Sequence, residues 1–169
     1  MQHITRSVVS AIIEKHENGV RYIYLQTRWK PHTSPTYSGL LEIPAGEIIG
    51  YEDVISALKR EVHEETGLHI SRIINSCKEE MHENISGNKS IVFRPFICQQ
   101  MLSSNGGLPW IGFVFRCETT GIIHINASEA KDPKWVSVEK LKIMITKSPQ
   151  LFFPLQFPVL KFYLQQISK

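Results

Sequence analysis

Cysteine is scarce in this chain of 169 residues. The three present, Cys77, Cys98 and Cys117, are odd in number, and no pair has C-x-x-C spacing. A disulfide framework and a thiolate zinc site are therefore disfavoured, and a reducing compartment is favoured. Long apolar runs are lacking too, since none approaches the roughly 18 residues of a membrane span. Met1–Arg6 shows no signal-peptide pattern. A cytoplasmic protein with no membrane partner is expected. Charge of one sign is also in short supply: 19 Lys and Arg against 16 Asp and Glu leave +3. That is too little to point to a nucleic-acid polymer. No Gly- or Ser-rich linker and no repeat divides the chain. A hydrophobic share of 42% and a charged share of 21% exclude a disordered chain. One domain over residues 1–169, with a substantial core, is the expectation.

What is present is a series of short β-patterned runs around one helical stretch. Ser7–Ile13 is β-branched, Glu17-Asn18-Gly19 is a turn signal, and Val20–Thr27 alternates. Together they predict a hairpin. Lys30–Ser38, with Pro31 and Pro35, reads as a loop and a candidate substrate wall. Leu40–Pro44 is a short strand stopped by proline. Beyond the helical stretch, His69–Ser76 is a strand and Lys78–Lys89 a polar loop. Ile91–Met101 is a strand with Pro95 hinting at an edge or bulge. Ser103–Gly107 is a loop, and Trp110–Cys117 is the strongest buried-strand pattern. Asn126–Pro133 reads as a loop, Lys134–Val138 as a strand, and Val138–Ile145 and Val159–Ile167 as helices. The Phe-rich stretch Leu151–Phe157 is assigned to core or lid packing, with a dimer contact as the alternative. Strands before and after one central helix suit an α+β layered sandwich around a mixed sheet.

The helical stretch carries the chemistry. Asp53 suits an N-cap and Gly67 a left-handed stop. Between them Ile55, Leu58 and Val62 form an apolar stripe. Glu61, Glu64 and Glu65 fall beside it within an arc of roughly 100°. Like charges three and four residues apart repel, and the last turns of a helix disfavour anions. A divalent cation with oxygen ligands, Mg²⁺ or Mn²⁺, would offset both. The competing reading of a lone Glu-x-x-Glu-Glu is a solvated acidic face.

The flanks weigh against that alternative. Gly46, Glu52 and the run Arg60-Glu61-Val62-His63-Glu64-Glu65-Thr66-Gly67-Leu68 fill every fixed position of the pattern G-x5-E-x7-R-E-U-x-E-E-x-G-U, where U is a bulky aliphatic. The sequence resembles the Nudix (MutT-like) hydrolases. The resemblance implies the Nudix fold, an α/β/α sandwich around a mixed β-sheet. It also implies Mg²⁺- or Mn²⁺-dependent cleavage of the pyrophosphate linkage of a nucleoside diphosphate joined to another moiety. Nucleotide sugars, ADP-ribose, dinucleotides and nucleoside triphosphates all remain open as small-molecule substrates.

By the same resemblance, Glu61, Glu64 and Glu65 are metal ligands, with the Gly46 carbonyl as a further one. Glu64, Glu61 and Arg60 form the catalytic group, Arg60 with Glu52 as polar framework that orients the acids. The box does not settle the general base: in some members of the family a box glutamate serves, in others a glutamate on a later loop, for which Glu79, Glu80, Glu83, Glu118 and Glu129 are the candidates. His63 reads as exposed and not a ligand, and His82 and His124 have no metal-binding spacing. No substrate-binding residue is assigned. Trp29, Tyr37, Trp110 and Phe113 could stack a base, with Trp110 beside Gly112 placed in the core. Pro95 lies beyond the position of the proline that marks ADP-ribose enzymes. A Nudix-fold binding or regulatory module without catalysis is the alternative function, and the intact glutamates favour the enzyme. A homodimer is admitted by analogy alone.

Overall fold

Asn18 and Gly19 both take positive φ, 50° and 77°, the geometry of a two-residue hairpin turn. They join strand β1 (Arg6–Glu17) to β2 (Val20–Arg28), paired antiparallel from Glu17 against Val20. This computed structural model describes residues 5–77, 80–102 and 109–167. The expected Ser103–Gly107 loop and Glu79 lie outside them.

The hairpin belongs to an eight-stranded sheet. Its spine places β10 (Ala130–Ser137), β2, β1, β9 (Trp110–Thr120) and β5 (His69–Ile73) side by side. Three short strands attach to it: β3 (Leu41–Glu42) on β2, β4 (Ala45–Glu47) on β1 and β8 (Ile97–Gln100) on β9. β1 and β9 run parallel while the other pairings are antiparallel, so the sheet is mixed. Glu14 on β1 is fully buried and takes the Nε–H of Arg116 on β9 at 2.5 Å, locking the parallel pair.

Alternation along the strands supplies two apolar faces. Val9, Ala11, Ile13, Tyr24 and Phe115 face helix α1 (Val54–Thr66), which buries Ile55, Leu58 and Val62 against them. Ile12, Ile23, Leu25, Val114 and Val136 face the other way. They pack on α2 (Val138–Lys147) and α3 (Phe157–Ile167) through Leu141, Ile145, Leu160 and Tyr163. The result is the expected α+β sandwich, with helices on both sides of the sheet.

Several boundaries differ from expectation. The polar segment Lys78–Lys89 was expected to be a loop, but it contains β6 (Glu80–Glu83), paired with β7 (Lys89–Val92) in a separate two-stranded sheet. Neither face of that hairpin is covered, so it carries no apolar alternation to read. Ile91–Met101 is broken between Val92 and Ile97, around Pro95, which has no N–H for a ladder. β10 begins within the expected loop Asn126–Pro133, and its register shifts between Lys131 and Lys134. Asp132, at φ 48°, and Pro133 form that irregularity. Among the described residues no helix is long and apolar enough to cross a membrane.

Candidate active site

α1 starts and stops where its sequence directs. The Asp53 carboxylate accepts the N–H groups of Ile55 and Ser56, and Gly67 closes the helix at φ 73°. A Cβ at Gly67 would also lie 2.8 Å from that of His124. The segment after β9 completes this end: the His124 and Asn126 N–H groups donate to the Thr66 and Glu65 carbonyls. Orphan carbonyls of the last turn are thus satisfied, and the chain leading to Glu129 is tied to the acidic end of α1.

Arg60 is the hub of the exposed side. It pairs with Glu52 through Nε and Nη2 at 2.9 and 2.8 Å, and Nη2 also donates to the Glu47 carbonyl at 2.9 Å. Its Nη1 reaches Glu61 at 2.6 Å and Glu64 at 3.1 Å. The hydrogen bond from Arg60 holds the Glu52 carboxyl below its ordinary range. Burial pushes the half-buried Glu61 carboxyl up, against the pull of Arg60.

The three box glutamates do not share one exposed stripe. Glu64 is exposed, Glu61 is half-buried, and Glu65 is only 3% exposed. Glu65 accepts a hydrogen bond from Gln26 Nε2 on β2 at 2.8 Å. Burial, with Glu42 adding to it, raises the Glu65 carboxyl to about 8. Gln26 in turn accepts from the Tyr24 hydroxyl. Sequence reading missed Gln26, although a glutamine two residues beyond Tyr24 on the same inward face of a strand is a legible anomaly.

Gly46 closes the arrangement from β4. A Cβ there would sit 1.9 Å from the Glu61 carboxyl carbon, so only glycine lets the Glu61 carboxylate lie against this backbone. Gly46 also borders a cleft of about 290 Å³ on the opposite side, together with Arg28, Lys30, Gln99, Trp110 and Phe153. The sequence model of the NUDIX domain family matches residues 3–156.

The chain belongs to the Nudix family. No curated protein matches it, but many solved structures share its fold. The MutT protein of Methanosarcina mazei Go1 aligns over 100% of this chain and 99% of its own, at 18% identity and TM-score 0.65. The Nudix domain of Shewanella oneidensis NrtR, solved with ADP ribose, aligns over 97% and 89%, at 12% identity and TM-score 0.64. A C. elegans Ap4A hydrolase aligns over 95% and 98%, at 13% identity and TM-score 0.54. At these identities the neighbours establish the Nudix fold alone.

Of the candidate bases, the Nudix fold brings Glu129 to the box. Lys30 grips it at 2.8 Å, Trp29 N–H donates to its carbonyl, and its charge adds to the upward shifts of Glu61 and Glu65. Glu80 and Glu83 sit on the separate hairpin facing His82 and Lys89, and Glu118 pairs with Arg72 at the far edge. His63 is exposed, stacked on His69. Among the stacking candidates, Phe113 packs on Phe93 in the α1-side core, Tyr37 on Phe153, and Trp29 under Lys131. Trp110 belongs to the cleft wall, not the core. The Phe-rich stretch is more than packing: Phe152 is core, while Phe153 and Leu155 line the cleft. Gln156 pins the stretch by donating to the Ile43 carbonyl and accepting from its N–H.

Nudix hydrolases as a family cleave pyrophosphate bonds and use divalent metals such as Mg²⁺ or Mn²⁺. The donor chemistry here fits such an ion. Three carboxylates stand on the last turns of α1, one of them against the Gly46 backbone, and burial raises two of them, a cost that a bound cation would offset. Among the described residues, no three His, Cys, Asp or Glu side chains already converge as a coordination shell. The Arg60 guanidinium takes Glu61 and Glu64 instead.

Proposed function

We propose that this chain hydrolyses the pyrophosphate linkage of a nucleotide derivative, with Glu61, Glu64, Glu65 and the Gly46 carbonyl holding Mg²⁺ or Mn²⁺. The observation that carries this reading is the contact between Gly46 and the Glu61 carboxylate, at the border of the cleft. When bound, divalent ions neutralise phosphate charge and lower the pKa of a coordinated water. The rest is the work of the chain. Arg28, paired with Glu42, and Lys30, paired with Glu129, line the cleft beside Gly46, where an anionic substrate would compete with those carboxylates for them. Arg60, anchored on Glu52, orients Glu61 and Glu64. Glu129, steered by Lys30, is the carboxylate proposed to take the proton of the attacking water.

The pairing of Arg60 with Glu61 and Glu64 supports one competing reading, a nucleotide-binding module without turnover, because the guanidinium already neutralises both acids. The two readings separate in one experiment. Nucleoside triphosphates, dinucleotides, ADP-ribose and nucleotide sugars are incubated with Mg²⁺ or Mn²⁺, and phosphate products are resolved. Turnover of at least one substrate, abolished by Glu64→Gln in a folded protein, is expected. No turnover across the panel, or full activity in Glu64→Gln, overturns the enzymatic reading.

A further inference from the structure

Gln26 has no exposed surface, and Tyr24, two residues before it on β2, has none either. Tyr24 faces α1, and strand alternation puts Gln26 on the same face. A buried amide is costly unless its polar atoms find partners, and here both ends do. Nε2 donates to Glu65 Oε2 at 2.8 Å, and Oε1 accepts from the Tyr24 hydroxyl at 3.2 Å. A carboxylate can only accept and a hydroxyl can donate, so these two neighbours set the amide in one order. Tyr24 is itself held, edge-on to Trp135 with ring centroids 5.8 Å apart.

The Glu65 carboxylate is reached from two strands. The Ala45 N–H on β4 lies 3.4 Å from the same Oε2, a longer contact than that of Gln26. Both hydrogen bonds that reach this carboxylate among the described residues thus fall on one oxygen. A glutamate side chain has three rotatable bonds, and anchoring one of its oxygens sets where the other lies. Ala45 adjoins Gly46, whose backbone lies against the Glu61 carboxylate. The anchored oxygen is therefore tied both to β2 and to the strand that carries Gly46.

We propose that Gln26, held in turn by Tyr24, is a positioning residue for the cation site: it anchors Glu65 by Oε2 and leaves Oε1 as the oxygen offered to the ion. The inference rests on the proposed role of Glu65 as a metal ligand, and adds to it which oxygen binds and what aims it. An octahedral ion such as Mg²⁺ tolerates little error in ligand direction, and the bite of one carboxylate is too narrow for its right angles. One aimed oxygen serves such an ion better than two loose ones. Partners that fix a ligand in this way are worth roughly 10- to 100-fold in metal affinity. The competing role for Gln26 is simple satisfaction of a buried acid. That role predicts lower stability when the amide is removed, with the cation affinity of the folded protein unaltered.

The test is Mn²⁺ binding to the full chain at one fixed pH, read from the electron paramagnetic resonance signal of the free ion, with no substrate and no turnover. Gln26→Met removes the donor at similar length and is expected to weaken Mn²⁺ binding by roughly tenfold or more. Tyr24→Phe removes only the hydroxyl and is expected to weaken it by less, roughly two- to tenfold, the worth of one hydrogen bond. If Gln26→Met does not fold, Tyr24→Phe decides alone. In a Glu65→Gln background both substitutions should change Mn²⁺ affinity by less than about twofold, because they act through that carboxylate. Should Glu65→Gln abolish Mn²⁺ binding outright, the single variants decide. Wild-type Mn²⁺ affinity in the folded single variants with only Tm lowered, or equal weakening with and without the Glu65 carboxylate, overturns the anchoring. Mn²⁺ affinity unchanged by Glu65→Gln overturns the ligand assignment beneath it. Weakening as expected alongside an inactive substrate panel overturns the hydrolase reading alone.

Discussion

Arg60 meets Glu52 through two parallel hydrogen bonds, Nε to Oε1 and Nη2 to Oε2, so the guanidinium plane is fixed before it touches any other acid. Lysine is a point charge and cannot reproduce that fork. Arg60→Lys keeps the charge but releases the plane, and Glu61 and Glu64 lose their common orienting partner. A fall in kcat of roughly 10- to 100-fold is expected, the usual consequence of losing a partner that orients metal ligands. The apparent Mg²⁺ affinity should weaken in parallel. Unchanged steady-state kinetics in Arg60→Lys would show that the fork orients nothing.

Gly46→Ala tests the contact with Glu61. The added methyl occupies the space of the Glu61 carboxylate. One of the two must move, and the side chain is the more flexible. Expected outcomes are loss of most turnover, roughly tenfold or more by analogy with displaced metal partners, and a Tm change of only a few degrees. Mg²⁺ titration followed by turnover should show the affinity loss directly.

The Glu65 carboxyl links stability to pH in the metal-free protein. Its folded value, raised to about 8, stands above the ordinary 4.5, so the folded state binds its proton more tightly than the unfolded state. Below about 4.5 both states are protonated and the group contributes nothing to the pH slope. Between 4.5 and about 8 the unfolded state binds fewer protons, so stability falls as pH rises. Thermal melts in EDTA should show this decline, and Glu65→Gln should flatten it. Added Mg²⁺ should offset the loss at the upper end, because an ion bound only by the folded state stabilises it. A melt series in EDTA that is flat across this window removes Glu65 from the account.

The three cysteines should label unequally. Cys117 is buried in the α1-side core, and burial pushes its thiol far above the ordinary range. Cys98 is exposed and Cys77 partly so. Iodoacetamide followed by intact mass measurement should add two groups to the native protein. A third should appear only in denaturant.

How much of this was legible before folding depends on whether the information was local. The helix from Asp53 to Gly67 was readable because its cap, stripe and stop all lie within a few turns of one another. The Asn18–Gly19 turn was readable for the same reason. The separation of Glu64 from Glu65 was not. Adjacent residues of the motif point about 100° apart on α1, and one ends up exposed while the other is buried against β2, where Gln26 donates to it. Trp110 was misplaced in the core because an aromatic in an apolar strand normally belongs there. Its place on the cleft wall depends on Phe153 and Leu155 arriving from a distant part of the chain. The β6–β7 hairpin escaped because neither face is covered and its strands carry no periodic signal.

The parallel pairing of β1 with β9 sets an order of events in folding. Glu14 and Arg116, whose ion pair clamps those central strands, are 102 residues apart. On the ribosome, β1 and β2 can close their hairpin early, but the neighbour that completes the middle of the sheet has not yet been made. Until it emerges, one edge of β1 is open and the Glu14 carboxylate has only Arg21 of the hairpin, at 3.6 Å, beside it. Pairings this distant in sequence slow folding and lengthen the exposure of unpaired strand edges.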